Sequence, residues 1–347
     1  MLWILEKFIH KKRQINTKDG MKIFIPSTIN LAYFKQKTLI SSIKKTIRKI
    51  VKQNQNEDVV ILTHCIYLQS AIPAKKAKKY KNVKICTIVP DLPEHSTANA
   101  LKQNKILRAL YNHYTKKTLP YKYVFDGYVC FSRWQMEHLN KEKPFIVMEG
   151  FMDVDKFKGI EKCSDSNDKF NIVYAGGISY RYGIKELVDG FISANLKDAI
   201  LTVYGDGDAV EYLKGKEEFG VYYGGLVSRE EVLKIEKNAS LLINPRPTTD
   251  EYSRCSFPSK LMEYMASGTP VLTTKLGCIE EEYYDKLYFI DNLSKEGVSK
   301  AISLVYSDYE NAKMKGKKAS EYIANYKNAS CQAKKVHEFL LSITKGK

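Results

Sequence analysis

The chain has 347 residues, 44% of them hydrophobic, and a formal net charge of +17 at pH 7. That length suits two α/β domains better than one, and the apolar share lets each bury a core. No run of 18 apolar residues occurs, so no membrane-spanning helix is expected. The opening "MLWILEKFIHKKRQ" places its charges after its apolar residues, the reverse of a secretory leader.

The seven cysteines form no C-x-x-C pair, and Cys86 and Cys130 fall in apolar, strand-like runs. This pattern fits a reducing cytoplasm and argues against structural zinc. The charge is uneven. Residues 1–150 hold 28 Lys and Arg against 10 Asp and Glu, and the remainder holds 28 against 29. A basic half asks for an anionic partner, unless its lysines are merely solvated. Nucleic acid is one candidate, but no finger or aromatic RNA-binding pattern is present. The anionic inner leaflet of a membrane is the preferred partner, attracting Lys and Arg by about 1 kcal/mol each.

In chain order, the first strand-like run is "MKIFIP" (21–26), and no glycine turn follows it. Either the first strand of this domain is unconventional or the chain lacks its natural beginning. A basic helical pattern, "KKTIRKIVK" (44–52), comes next, with Ile40, Ile43, Ile47, Ile50 and Val51 three or four apart. Strands are expected at "VVILTHC" (59–65), "VKICTIVPD" (83–91), "DGYVCFS" (126–132) and "PFIVMEG" (144–150). After a polar linker, "KGIEKCSDSNDK" (158–169), they recur at "FNIVYAGG" (170–177), "AILTVYGDG" (199–207), "ASLLINP" (239–245), "PVLTT" (270–274) and "LYFID" (287–291). Continuous apolar runs mark strands buried on both faces. Helical stretches between them predict two doubly wound parallel sheets, one over 1–155 and one over 156–347. The final helix has a face with which to pack back on the first domain.

Ligands of open α/β sheets bind at the carboxyl ends of the strands. There the second half has a Gly176–Gly177 turn, a "GDGD" turn and the loop "NPRP" with Arg246. Glycine turns bring backbone N–H groups to an anion, and a helix start adds its positive end. Arg181 and Lys185 supply nearby cations. None of these turns is G-x-G-x-x-G, which disfavours a nicotinamide cofactor. The run "SFPSKLMEYMASGTPVL" (256–272) reads as a helix ended by Gly268, followed by a strand. Its Glu263 follows Lys260 by three, so it has no capping-box partner. It is either a dipole-stabilised surface residue or a ligand-binding carboxylate beside an anion-binding helix start.

The ordered series "VYAGGISYRYGIKELVDGF", "LTVYGDGDAVEYL", "GGLVSREEVLKIEKNASLLINPRP" and "SFPSKLMEYMASGTPVLTT" resembles the C-terminal domain of family-4 glycosyltransferases with the GT-B fold. "TIVPDLPEHS" and "VMEGFMDVDKF" are similar to the same family, and the match spans roughly 55–330. The resemblance implies two Rossmann-like doubly wound domains facing a cleft. It also implies retaining transfer of a sugar from a nucleotide-sugar, with no metal or other cofactor required. Glu263 matches the carboxylate that holds the ribose hydroxyls. Ser259 and Lys260 match the helix start at the diphosphate, Gly176 and Gly177 the phosphate-side turn, and Leu226 and Val227 the backbone at the base.

The family's second Glu, eight residues before Glu263, is replaced by Cys255. Its basic clamp positions fall near Gly177 and Tyr182, neither of them basic. Arg181, Lys260 or Arg246 is expected to compensate. In the first half, Asp91, Glu94 and His95 follow a strand; Asp91 resembles the family's acidic residue there, and His95 either orients an acceptor or is a solvated loop residue. The expected activity is a bacterial, cytoplasmic, membrane-peripheral glycosyltransferase building capsule, exopolysaccharide or another surface polysaccharide on a lipid-linked glycan acceptor. The alternatives are a catalytically inactive GT-B subunit serving as a regulatory scaffold, and a nucleotide-sugar epimerase.

Overall fold

The computed structural model describes residues 9–10, 13–16, 22–25, 28–29, 34–94, 105–161, 169–249, 252–255 and 257–345. His95 and most of the linker run 158–169 lie outside these residues. The chain divides into two compact units, Met1–Val147 with Lys335–Lys347, and Met148–Lys334.

The first unit begins with two short antiparallel ladders. β1 (Ile9–His10) pairs with β4 (Thr28–Ile29), and β2 (Arg13–Asn16) with β3 (Lys22–Ile25). The run "MKIFIP" is thus a strand, as its apolar content predicts, but it does not open the parallel sheet. Only a short connection separates β2 from β3. That favours antiparallel pairing, since a parallel pair needs a crossover of a dozen or more residues.

Helix α1 (Phe34–Gln53) follows, then β5 (Val59–His64), α2 (Leu68–Ala77), β6 (Val83–Val89), α3 (Lys105–Thr118), β7 (Gly127–Cys130) and β8 (Phe145–Val147). The four strands form a parallel sheet in sequence order, β5-β6-β7-β8. β7 is buried throughout, which explains its unbroken apolar run. Asp126 fastens the sheet to α2: its carboxylate accepts from the Ile85 N–H at 2.9 Å and from Lys78 Nζ at 2.8 Å.

The second unit carries β9 (Phe170–Ala175), α4 (Ile184–Ala194), β10 (Ala199–Tyr204), α5 (Val210–Leu213), β11 (Val221–Gly225), α6 (Arg229–Asn238), β12 (Leu241–Asn244), α7 (Tyr252–Cys255), α8 (Ser259–Ser267), β13 (Val271–Thr274), β14 (Tyr288–Ile290), α9 (Lys295–Ser307) and α10 (Tyr309–Tyr326). Its six parallel strands run in the order β11-β10-β9-β12-β13-β14. The winding reverses between β9 and β12, so this sheet is doubly wound. Alternation along β9 sends Ile172 into one core with Leu187, Leu201 and Val298, and Val173 into the other with Leu233, Leu261 and Met265. Each such fully buried aliphatic side chain contributes about 1.5–3 kcal/mol.

The last helix, α11 (Ala329–Lys345), ends in the first unit. Gly127 of β7 makes room for it: a Cβ there would lie 2.6 Å from Ile343 Cδ1 and 3.0 Å from the Phe339 ring.

Candidate functional site

Because all six strands of the second unit are parallel, their carboxyl ends share one edge, and the switch between β9 and β12 opens a crevice there. The Gly176–Gly177 turn leaves β9 at this point. Its Gly176 N–H bonds the Tyr204 carbonyl at 3.0 Å, and its Gly177 carbonyl accepts from the Tyr174 hydroxyl at 2.8 Å. Among the described residues the exposed Gly177 N–H has no partner, which leaves it able to bind an anion.

The "GDGD" turn has a different reason for its glycines. A Cβ on Gly205 would lie 1.8 Å from the Gly176 carbonyl oxygen, and one on Gly207 2.1 Å from that of Ile178. Both also have positive φ, +133° and +156°. These glycines let two loops pack together, and that structural demand accounts for them without a ligand.

Gly183 caps α4 with φ +77°, and its Cβ position lies 2.0 Å from the Pro245 carbonyl. This contact draws the start of α4 against the loop after β12. Half-buried Arg246 in that loop stacks its guanidinium on the Tyr182 ring, 5.1 Å from the centroid. Tyr182 in turn lies beside Gly177, 3.1 Å from its Cβ position. Arg246 is therefore the cation brought to the place where the resemblance leaves the clamp without basic residues. Arg181 is exposed on the 3₁₀ turn Tyr180–Tyr182, its N–H bonded to Ser179 Oγ at 3.3 Å.

Pro258 occupies the N-cap of α8, one residue before the helix proper, and Gly268 ends it in the left-handed conformation. Tyr264 is fully buried and anchors the helix to the end of β9. Glu263 is only 9% exposed, so it is no surface residue. Its two oxygens are held at 2.6 Å by Lys260 Nζ and at 3.2 Å by Arg229 Nη2. Lys260 Nζ also reaches Glu236 Oε1 at 2.8 Å. The ammonium that the resemblance aims at the diphosphate thus bridges two carboxylates.

Glu236, absent from the sequence reading, is fully buried on α6. Burial and the neighbouring Glu263 raise its carboxyl to about 7 despite the opposing Lys260. The missed signal is its spacing: Glu236 stands three residues after buried Leu233 and seven after Arg229, on one helix face. The four side chains alternate in sign as Arg229, Glu263, Lys260, Glu236.

Ser259, the first residue of α8, is exposed; Leu226 is 75% exposed and Val227 half-buried after β11. Cys255, in the place of the family's second Glu, is buried and offers no carboxylate.

In the first unit, Asp91 is half-buried just past β6. Its charge is felt at Cys65 and Tyr67, past the neighbouring β5, where burial raises both groups first and Asp91 adds to it. Cys65 has φ +62°, rare for a side-chain-bearing residue, and its Sγ lies 3.3 Å from His64 Nδ1. Such strain, about 1–3 kcal/mol, concentrates at functional sites. The sequence "THCIY" at the end of an apolar strand run was the available signal. Glu94 is occupied by an ion pair with buried Lys122. Among the described residues no group of three His, Cys, Asp or Glu converges as a metal site.

Residues 169–308 match the family model Glycosyl transferases group 1. No curated protein matches the chain. Among solved structures, sucrose-phosphate synthase from Thermosynechococcus elongatus aligns with 96% of this chain and 86% of its own, at 16% identity and TM-score 0.60. A glycosyltransferase from Rickettsia africae aligns with 94% and 85%, at 16% identity and TM-score 0.61. Anabaena Alr3699/HepE, solved with UDP, aligns with 91% and 85%, at 14% identity and TM-score 0.58. At such identities the likeness is one of fold. The chain has the GT-B glycosyltransferase fold, and its second unit is similar to the glycosyl transferases group 1 domain over residues 169–308.

Proposed function

We propose that the protein transfers a sugar from a nucleotide-sugar to a lipid-linked glycan acceptor, with retention and without a required metal, in the synthesis of a bacterial surface polysaccharide. The observation that carries the reading is Glu263. It is a nearly buried carboxylate on a helix that Tyr264 pins to the end of β9, next to the Gly176–Gly177 turn. An ionised carboxylate accepts strongly from paired ribose hydroxyls. UDP occupies both Anabaena Alr3699/HepE and the pneumococcal O-GlcNAc transferase GtfA, so uridine nucleotides are the first donors to test.

In transfer, the bond between the sugar C1 and the diphosphate oxygen breaks, and the acceptor oxygen bonds C1 from the same face. The acceptor proton passes to the departing diphosphate. Negative charge grows on that diphosphate, and Arg246 with the Gly177 N–H is suited to stabilise it. Asp91 and His95 are assigned to the acceptor side.

The first unit is proposed to lie on the inner face of the membrane. Lys45, Arg48, Lys49 and Lys52 are exposed at one-face spacing on α1. Lys76 of α2 stands close enough to Lys44 to help burial lower its pKa, so both helices contribute to one cationic patch. Among the described residues no helix is long and apolar enough to cross a membrane.

A thermal-shift panel of nucleotide-sugars tests the donor, since a ligand bound at 100 times its Kd stabilises by about 2.7 kcal/mol. Turnover of the stabilising donor in EDTA, with the product anomer read by NMR, tests metal independence and retention. No shift with any nucleotide-sugar sinks the reading. A second reading, the inactive scaffold, is favoured by Gly177 and Tyr182 standing where the resemblance expects basic residues. Donor binding without transfer to acceptor or water would establish it.

A further inference from the structure

Glu236 occupies a position where its helix otherwise buries apolar side chains. Its residue is 0% exposed, on the same buried face as Leu233, and it contacts Lys260 of α8. One oxygen accepts from Lys260, and the other is buried with no hydrogen-bond partner. Glu263, held by the same Lys260, helps to raise the Glu236 carboxyl. Lys260 is shared between two carboxylates and Arg229 serves only Glu263, so buried Glu236 has half a cation against its own desolvation, and a proton relieves it.

We infer that Glu236 is a positioning residue of the donor site: through Lys260 it fixes the orientation of the Glu263 carboxylate. The inference rests on the reading of Glu263 as the ribose-binding group. The groups facing Glu236 are Lys260, Glu263 and the Tyr264 hydroxyl from α8, with Arg229 of its own helix acting through Glu263.

The consequence is directional. While Glu236 holds its proton, Lys260 and Arg229 both serve Glu263. When Glu236 ionises, near pH 7, it competes for Lys260 and adds a negative charge close to an anionic ligand. Donor affinity then falls. Stability follows the same proton. Glu236 in the folded state lies above its unfolded value of 4.5, so its contribution is full below pH 4.5 and is lost as pH rises through about 7.

The test uses the full chain and UDP-glucose, whose diphosphate has no ionisation between pH 5.5 and 8.5. Calorimetry across that range is expected to show the wild-type Kd rising about fivefold, from the added charge at a moderate effective dielectric. The Glu236→Gln variant, which stays neutral, is expected to show a flat profile. Without ligand, the melting temperature of Glu236→Gln relative to wild type should climb from pH 5 to 7 and then level. Equal pH dependence of binding in both proteins overturns the inference and leaves the donor reading standing. Where UDP-glucose binds neither protein, the comparison is repeated with the nucleotide-sugar that gives the largest thermal shift, and binding of no nucleotide-sugar by either protein at any pH overturns both.

Discussion

The Tyr264 hydroxyl accepts from the Ala175 N–H at 2.8 Å and donates to the Ala175 carbonyl at 3.2 Å. One side chain thereby closes a buried reciprocal pair between helix α8 and the last residue of β9. It fixes Glu263, one residue away on α8, relative to Gly176, one residue past β9. Burial and nearby carboxylates hold the phenol far from ionisation, so the pair persists across the working pH range. Tyr264→Phe leaves both Ala175 groups unpaired and is expected to destabilise the protein by about 2–3 kcal/mol. Urea denaturation measures this; an unchanged midpoint would show that the pair contributes nothing.

Glu263→Ala is expected to weaken UDP binding by about 1.5–3 kcal/mol, the range for hydrogen bonds to a charged group. Lys260→Ala should act in the same direction through Glu263, raising KM more than it lowers kcat. Arg246→Ala should do the reverse, lowering kcat by about tenfold to a hundredfold, because the charge it faces grows only as the glycosidic bond breaks. Full turnover by Arg246→Ala would return the clamp role to exposed Arg181.

Asp285 accepts from Lys286 at 2.7 Å and pairs with Lys318 of α10, and these bonds lower its carboxyl to about 2. A depressed folded value contributes stability above the unfolded 3.8, lost as pH falls toward 2. The side chain is 52% exposed, so screening holds the benefit below about 1 kcal/mol. Asp285→Asn should therefore lose that amount at pH 7 and nothing at pH 2, by thermal unfolding. An equal loss at both would mean that charge is not the cause.

Vesicle co-sedimentation checks the cationic patch of the first unit. Binding should require anionic lipid and weaken at high salt, where the Debye length drops to about 3 Å at 1 M. Glu at Lys45, Arg48, Lys49 and Lys52 together should abolish it. Equal binding to neutral vesicles would leave the patch as solvated surface.

Local chemistry made much of the second unit legible in the sequence. Continuous apolar runs specified strands buried on both faces, and β9, β10, β12, β13 and β14 formed where those runs lie. Gly268 had to end α8 because few other residues adopt its φ of +82°. Glu263 stood out because no local partner explained it. Tertiary packing decided the rest. "MKIFIP" has strand chemistry, but whether it joins the parallel sheet depends on which strand reaches it, and it pairs with Arg13–Asn16. Gly205 and Gly207 read as an anion turn, yet it is the distant Gly176 and Ile178 carbonyls that demand them. Lys260 and Glu236 are 24 residues apart, and on its own helix Glu236 resembles any solvated charge. Only the packing of α6 on α8 removes water from it, and the removal of water turns an ordinary Glu into a proton-holding partner of Glu263.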